Sequence, residues 1–259
     1  MRSEIVDFSK YSSIKIGKKL PVFKIESLDD ECEGMFIIGG ANNLLISDNP
    51  PPLAMLDREK FEYIIEDEKG LRVGAFTSGG KLLSYAKKHD LSGFEMLQKL
   101  PGTIGGMIKM NAGLKDFSIS DNLKSIFTCK GEISKENCGF SYRNSNINGV
   151  IFEALFEVKK GFDYERFESF KKARANQPST PSAGSCFKNP PNDYAGRLIE
   201  AVGLKGKRVG DMAFSDVHAN FLVNLGSGKY EDALTLIDEA QKRVFEEFGI
   251  RLELEIKIV

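Results

Sequence analysis

Pro181-Ser182-Ala183-Gly184-Ser185-Cys186-Phe187-Lys188-Asn189-Pro190 is the most concentrated polar segment of a 259-residue chain. Gly184 frees the backbone just before Ser185, and Lys188 and Asn189 bring donors close behind it. The spacing invites comparison with a nucleophile elbow, G-x-S-x-G, but Phe187 stands where the second glycine belongs. No Ser-His-Asp relay is indicated either, so Ser185 is not read as an acyl-transfer nucleophile.

Working outward, composition changes on both sides of this segment. Upstream, 163–175 reads as a charged amphipathic helix with Tyr164, Phe167 and Phe170 on its apolar stripe. Residues 177–185 hold two prolines and are expected to be loop. Downstream, a helix is expected over 193–202. The longest covers Tyr230–Phe248, with Ala233, Leu234, Ile237, Ala240, Val244, Phe245 and Phe248 at spacings of three and four. A strand is expected over 251–259. Before residue 160, strand-like runs at 35–38, 53–56, 71–76, 125–129 and 149–159 mix with a helix after Gly79-Gly80. In the run 149–159, Phe152, Ala154, Phe156 and Val158 are expected to share one face. These elements describe an α/β or α+β protein with units at about 1–57, 58–160 and 161–248, the final strand, 249–259, returning to an earlier unit.

Bulk properties narrow the function classes. Hydrophobic content of 41% and charged content of 28% are those of a globular protein. A net charge of -1 gives no global field for nucleic acid or an anionic membrane, so neither partner is expected. Cys32, Cys129, Cys138 and Cys186 form no CxxC pair, and His89 and His218 are the only histidines. No metal site is therefore expected, and scattered thiols fit a reduced, cytoplasmic protein. The start is polar, and no run approaches the ~20 apolar residues of a membrane helix.

Three further motifs carry chemistry. Gly39-Gly40-Ala41-Asn42-Asn43-Leu44-Leu45 follows an apolar strand, where a two-glycine turn serves either as a plain connection or as a pyrophosphate cradle. It is not a Rossmann fingerprint, since no G-x-G-x-x-G occurs. Pro101-Gly102-Thr103-Ile104-Gly105-Gly106-Met107 leads to Met110-Asn111-Ala112-Gly113, an irregular backbone that is a tight turn or the floor of a dinucleotide site. Tyr142-Arg143 sets a guanidinium fork, suited to a carboxylate, in a polar segment; a surface loop arginine is the alternative. Gly226-Ser227-Gly228-Lys229-Tyr230 resembles the tail of a Walker A loop, but Tyr230 replaces the magnesium-binding hydroxyl and Val223 the leading glycine. Among the charges of the last segment, period two puts Glu253 and Glu255 on one face, and spacing alone does not separate them.

In this order the motifs resemble the MurB family, the UDP-N-acetylenolpyruvoylglucosamine reductases, from Ser13-Ile14-Lys15-Ile16-Gly17 to Glu255. Gly-Ser-Cys-Phe-Lys-Asn-Pro at 184–190 is the most specific block. The resemblance implies a two-part FAD-binding unit, not Rossmann, followed by an α+β substrate domain, in the shorter type II form. It implies FAD as cofactor, held by Gly39, Gly40, Ala41, Asn42, Asn43, Leu44, Pro101, Gly102, Thr103, Ile104, Gly105, Gly106, Asn111, Ala112 and Gly113. It also implies NADPH and UDP-N-acetylglucosamine enolpyruvate as partners. Ser185 would be the proton donor, Arg143 the active-site arginine and Glu255 the catalytic carboxylate. Tyr142, Lys188, Asn189, His218 and Asn220 would face the substrate. Ala41-Asn42 and Leu114-Lys115 depart from the family's usual residues. The last strand, ending four residues past Glu255, is expected to fray. Two alternatives stay open: another FAD enzyme of this fold oxidising an alcohol, and a UDP-sugar-binding protein without turnover.

Overall fold

A computed structural model describes residues 2–259, and the chain divides into two compact, discontinuous units. The first holds residues up to 4, 22–40 and 52–175; the second holds 5–21, 41–51 and 176–259. Residues 163–175, expected to open a substrate domain, thus belong with the first unit. The reason is packing: Phe170 on this helix is 2% exposed and belongs to the first unit's core.

In the first unit Leu53–Leu56 is buried at every position. It pairs in parallel with 22–25 on one edge and with Phe36–Ile37 on the other. An uninterrupted apolar run is what a strand covered on both faces requires. A five-stranded antiparallel sheet follows in the order Gly131–Ser134, Leu123–Thr128, Ile151–Phe156, Gly70–Gly74, Ile64–Asp67. Its central strand, Ile151–Phe156, is buried throughout, so the alternation expected there does not divide a wet face from a dry one. Glu153 is tolerated in that position because Arg72 grips it with two bonds of 3.0 and 2.8 Å and the Tyr63 hydroxyl donates at 2.6 Å. Helix Gly79–Lys88 starts at Ser78, whose hydroxyl accepts from Lys81 N, and turns Leu82, Leu83 and Ala86 inward. Helix Tyr164–Ala173 is capped in the same way by Asp163.

The second unit has a four-stranded antiparallel sheet in the order Ser182–Ser185, Phe221–Asn224, Met212–Phe214, Arg208–Val209. Helices Ala195–Ala201 and Tyr230–Phe248 belong to the same unit. The long helix buries Ala233, Leu236, Ile237, Ala240 and Val244 and stops at Gly249, whose φ of +67° is the left-handed C-cap geometry. Phe245 and Phe248, expected on the buried stripe, are 45% and 37% exposed. Their rings carry Arg251 and Arg197 guanidinium groups at 4.9 and 5.4 Å.

Two further expectations are corrected. Ser182–Ser185 is not loop but an edge strand, because Pro178 and Pro181 precede it and take no ladder donor from it. The tail is regular strand only at Lys257–Ile258, which pairs in parallel with Leu44–Leu45. Its end is hydrogen-bonded: Val259 N donates to Leu45 O at 3.0 Å, and Ser47 N to Val259 O at 2.6 Å. In the glycine turn at 226–228, the amides of Gly226 and Gly228 both donate to Asn224 Oδ1, and Ser227 N to Asp211. Those donors are taken up by the protein itself.

Candidate active site

Within the first unit the two glycine motifs meet. A Cβ on Gly39 would stand 2.4 Å from Thr103 Oγ1 and 3.8 Å from Gly106 Cα. Thr103 is also the N-cap of helix Ile104–Lys109, its hydroxyl accepting from Gly106 N. Gly39 therefore lets a strand end pass the start of a helix at backbone contact. Gly105 and Gly106 differ in what they face. A Cβ on Gly105 would sit 3.0 Å from Ala75 Cβ, whereas one on Gly106 meets only Thr103 Oγ1 at 3.3 Å and otherwise open space. Gly105 packs on protein and Gly106 is exposed. Pro101 is exposed and Gly102 half-buried beside it, while Ile104 and Ala112 are buried core.

The same unit joins the end of that motif to the arginine. Asn111 Nδ2 donates to Ser141 O at 3.0 Å, and Arg143 Nη2 to Gly113 O at 2.9 Å. Gly113 is required here, since a Cβ would lie 2.2 Å from Phe117 O in the hairpin Gly113–Leu114 with Phe117–Ser118. Arg143 has φ +54° and Asn111 φ +46°. Such left-handed residues cost about 1–3 kcal/mol and gather at functional sites. Tyr142 is 53% exposed, with the Arg143 guanidinium 5.1 Å from its ring centre.

The second unit assembles the other candidates around Cys186. Opposite Phe221–Asn224, the register gains a residue between Ser182 and Ser185, and Gly184 there has φ +83°. This is a glycine β-bulge, a device that re-aims the next side chain, here Ser185. Cys186 is fully buried, and burial first, then the Glu255 charge, push its thiol up. Glu255 N donates to Cys186 O at 2.9 Å, which puts this carboxylate's backbone against the residue after Ser185. Asn43 Nδ2 in turn donates to Glu255 O at 2.9 Å. The two glutamates that spacing left equivalent are thereby separated: Glu255 is half-buried beside Cys186, while the Glu253 side chain is 75% exposed and pairs with Lys188 at 3.5 Å.

Several polar candidates prove to be partly or wholly engaged by the protein. Asn220 is 3% exposed; its Oδ1 accepts from Phe187 N at 3.0 Å and its Nδ2 donates to Phe187 O at 2.8 Å. It clamps the segment that follows Ser185. Asn189 Oδ1 accepts from Ala195 N at the start of helix Ala195–Ala201. His218 Nδ1 accepts from Asn220 N at 3.3 Å, and burial lowers the imidazole's affinity for a proton. Ala41 is 3% exposed with φ +48°, Asn42 is half-buried, and Leu44 is buried in the pairing with Lys257. Sequence reasoning missed Asn43 as a tether of Glu255 and Arg174 as a buried charge near Arg143. Only the second left a trace, an arginine next to the end of an amphipathic helix.

Among the described residues no cluster of His, Cys, Asp or Glu is arranged to hold a metal ion, and no helix is long and apolar enough to cross a membrane. The C-terminal domain model of UDP-N-acetylenolpyruvoylglucosamine reductase matches residues 176–259. A UDP-N-acetylenolpyruvoylglucosamine reductase of Campylobacter jejuni (strain RM1221) is 51% identical, covering 98% of this chain and 100% of its own. One of Helicobacter pylori (strain J99) is 44% identical over the whole of both chains. The crystal structure of UDP-N-acetylenolpyruvylglucosamine reductase (MurB) from Thermus caldophilus superposes with a TM-score of 0.86 at 34% identity, covering 100% of this chain and 99% of that one. These likenesses favour neither the alcohol oxidase nor the turnover-free binding protein. With an α+β fold of this kind and such relatives along its whole length, the chain belongs to the UDP-N-acetylenolpyruvoylglucosamine reductase (MurB) family.

Proposed function

We propose that this oxidoreductase of peptidoglycan precursor synthesis uses FAD and NADPH to reduce UDP-N-acetylglucosamine enolpyruvate to UDP-N-acetylmuramate, with Ser185 as proton donor. The observation that carries the proposal is the bulge at Gly184, which re-aims Ser185 one residue from the Cys186 carbonyl that holds Glu255.

The residues present fit a dinucleotide cofactor. Gly39 and Gly106 adjoin at a point where Gly106 faces open space, and a side chain there would fill the cradle. Asn111 Oδ1, Arg174 Nε and Arg174 Nη2 are buried polar atoms without a partner among the described residues, the state expected of groups that complete their bonding on a ligand. Gly39, Gly40, Thr103, Gly106, Asn111 and Gly113 are the residues that would hold it. The chemistry that FAD supplies when bound is hydride transfer, from NADPH to the enolpyruvyl carbon.

The chain's own groups handle charge and proton. Hydride arrival leaves negative charge on the carboxylate side of the substrate, and Arg143 is the group proposed to stabilise it. Its fork is held by Gly113 O and by the strained turn that carries it. Glu255, fixed through both backbone groups, orients the reacting centre. Ser185 Oγ gives its proton to the adjacent carbon, an acceptor far more basic than water. Lys188 pairs at 3.5 Å with an exposed glutamate, a weak contact that leaves it available to the substrate's anionic groups. Asn220 and Asn43 are positioning residues, each spending its amide on the backbone that carries Ser185 or Glu255.

Anaerobic rapid mixing tests the reading. Purified protein is expected to be yellow, bleached by NADPH, and recoloured by the enolpyruvyl substrate. Ser185→Ala is expected to leave folding, flavin and NADPH bleaching near normal and to slow recolouring by about 10²–10⁴-fold, the usual loss for a general acid. Ser185→Cys should retain more activity than alanine. Equal slowing of both halves, or an untouched second half, would rule out Ser185 as the proton donor.

A further inference from the structure

Arg174 is the residue that the proposed chemistry leaves unexplained. It caps the C-terminus of helix Tyr164–Ala173, its own N–H donating to Phe170 O. Its side chain is turned in, the residue being 7% exposed, and Nε and Nη2 meet no acceptor among the described residues. A guanidinium this deep normally grips a carboxylate. Here the charged group acting on it is another cation, Arg143. Burial, reinforced by that repulsion, lowers its pKa to about 10, so it stays charged at neutral pH.

Its surroundings can be traced through contacts. One helical turn earlier, Phe170 packs edge-on against Phe117 at 5.4 Å. Phe117 pairs with Leu114, and the neighbouring Gly113 carbonyl receives Arg143. Asn111 bonds to Ser141 in the same turn as Arg143, and its Oδ1 is likewise buried with no partner among the described residues. The Ser141–Arg143 turn is thus bordered by an unmatched cationic donor and an unmatched neutral acceptor. Carboxylate or diphosphate oxygens would satisfy the arginine, but they bring no donor for the amide oxygen. The pyrimidine ring of an isoalloxazine carries both on one edge: N1 and C2=O as acceptors, and N3–H as donor. A reduced flavin accumulates its negative charge on the N1–C2=O side.

We propose that Arg174 and Asn111 together receive the pyrimidine edge of the flavin, Arg174 at N1–C2=O and Asn111 Oδ1 at N3–H. This rests on the flavin reading above and adds a residue outside the glycine motifs. Arg174 then tunes the cofactor: its charge stabilises the reduced form more than the oxidised one. A buried charge with no carboxylate partner among the described residues is a burden on the cofactor-free protein.

Three measurements on Arg174→Gln test this. FAD affinity should fall, and fall at least tenfold more for the reduced form, which lowers the two-electron midpoint potential by about 30 mV or more. The melting temperature of the FAD-free protein should rise or hold. Affinity for the product, UDP-N-acetylmuramate, should change less than threefold. Arg174→Lys, which keeps the charge, should shift the potential less. For the second contact, FAD methylated at N3 should bind wild type at least tenfold more weakly than FAD, a difference that Asn111→Ala abolishes. If the potential stays fixed while product affinity drops tenfold, the guanidinium serves the substrate and the proposal falls. If only the FAD-free melting temperature drops, Arg174 is a structural cap and the proposal falls. A methyl penalty that persists in Asn111→Ala removes the N3 contact. Should wild type itself retain no flavin, the parent reading fails, and the control shows it.

Discussion

At the scale of single residues, the proposed function turns on side chains whose neighbours differ although their types do not. Glu253 and Glu255 are the clearest pair. The first is 75% exposed and the second is held between Cys186 O and the Asn43 amide. Glu255→Gln is expected to cut turnover by at least tenfold, whereas Glu253→Gln stays within about twofold, since an exposed pair with Lys188 contributes little. Steady-state kinetics on both variants decides it, and equal losses would show that the carboxylate assignment is wrong. Gly105 and Gly106 form a second pair. Valine at 105 must displace Ala75, so that variant should lose stability by about 1–3 kcal/mol, as overpacked sites do. Valine at 106 meets open space on its outer side and should give folded, colourless protein. Thermal melts and the 450 nm band, flavin's visible absorbance, separate the two, and a yellow Gly106→Val protein would remove Gly106 from the cradle.

At the scale of elements, the candidate site in the second unit is a bulged edge strand braced from behind. Ser182–Ser185 has a neighbour on one side only, and a lone edge holds a side chain poorly. Asn220 supplies the bracing just beyond its end by closing both backbone groups of Phe187. Asn220→Ala strips a buried N–H and C=O of their partners and is expected to destabilise the protein by about 1–3 kcal/mol for each group left unsatisfied. If Asn220 acts as the positioning residue proposed above, kcat should fall more than KM rises. Denaturant melts with steady-state kinetics check both, and a pure KM effect would return Asn220 to the substrate-facing set. The strand itself escaped sequence reasoning because Pro178 and Pro181 mark a loop, and nothing local announces that pairing begins one residue after the second proline. Glu255's surroundings escaped it for the opposite reason: 251–259 alternates like a regular strand, yet only Lys257–Ile258 is paired as one.

At the scale of the whole molecule, two discontinuous units each build their own core. Stability should therefore carry the signature of buried titratable groups as well as of apolar packing. His218 is half-buried with its proton affinity lowered, chiefly by burial. Unfolded, it takes up a proton near pH 6.5; folded, only at lower pH. The unfolded state thus binds more protons as pH falls through that window, so stability is full above it and declines on acidification. The slope from one group stays below about 1.4 kcal/mol per pH unit, and His218→Gln should flatten the curve between pH 7 and 5. Melting temperatures across that range measure it, and parallel curves would show that His218 contributes nothing. What the sequence by itself determined was the long helix over Tyr230–Phe248 and the motif order that identifies the family, and through that resemblance the α+β class. Those depend on periodicity and on local backbone demands such as glycine at a bulge, which are written in adjacent residues. Only the tertiary structure decided which glutamate lies beside Cys186, which glycine faces outward, that Asn220 and Asn43 brace backbone, and that Arg174 is buried with no counter-charge among the described residues. Each of those depends on residues far apart in sequence, as Asn43 and Glu255 are, and burial and pairing at such range have no local pattern to betray them.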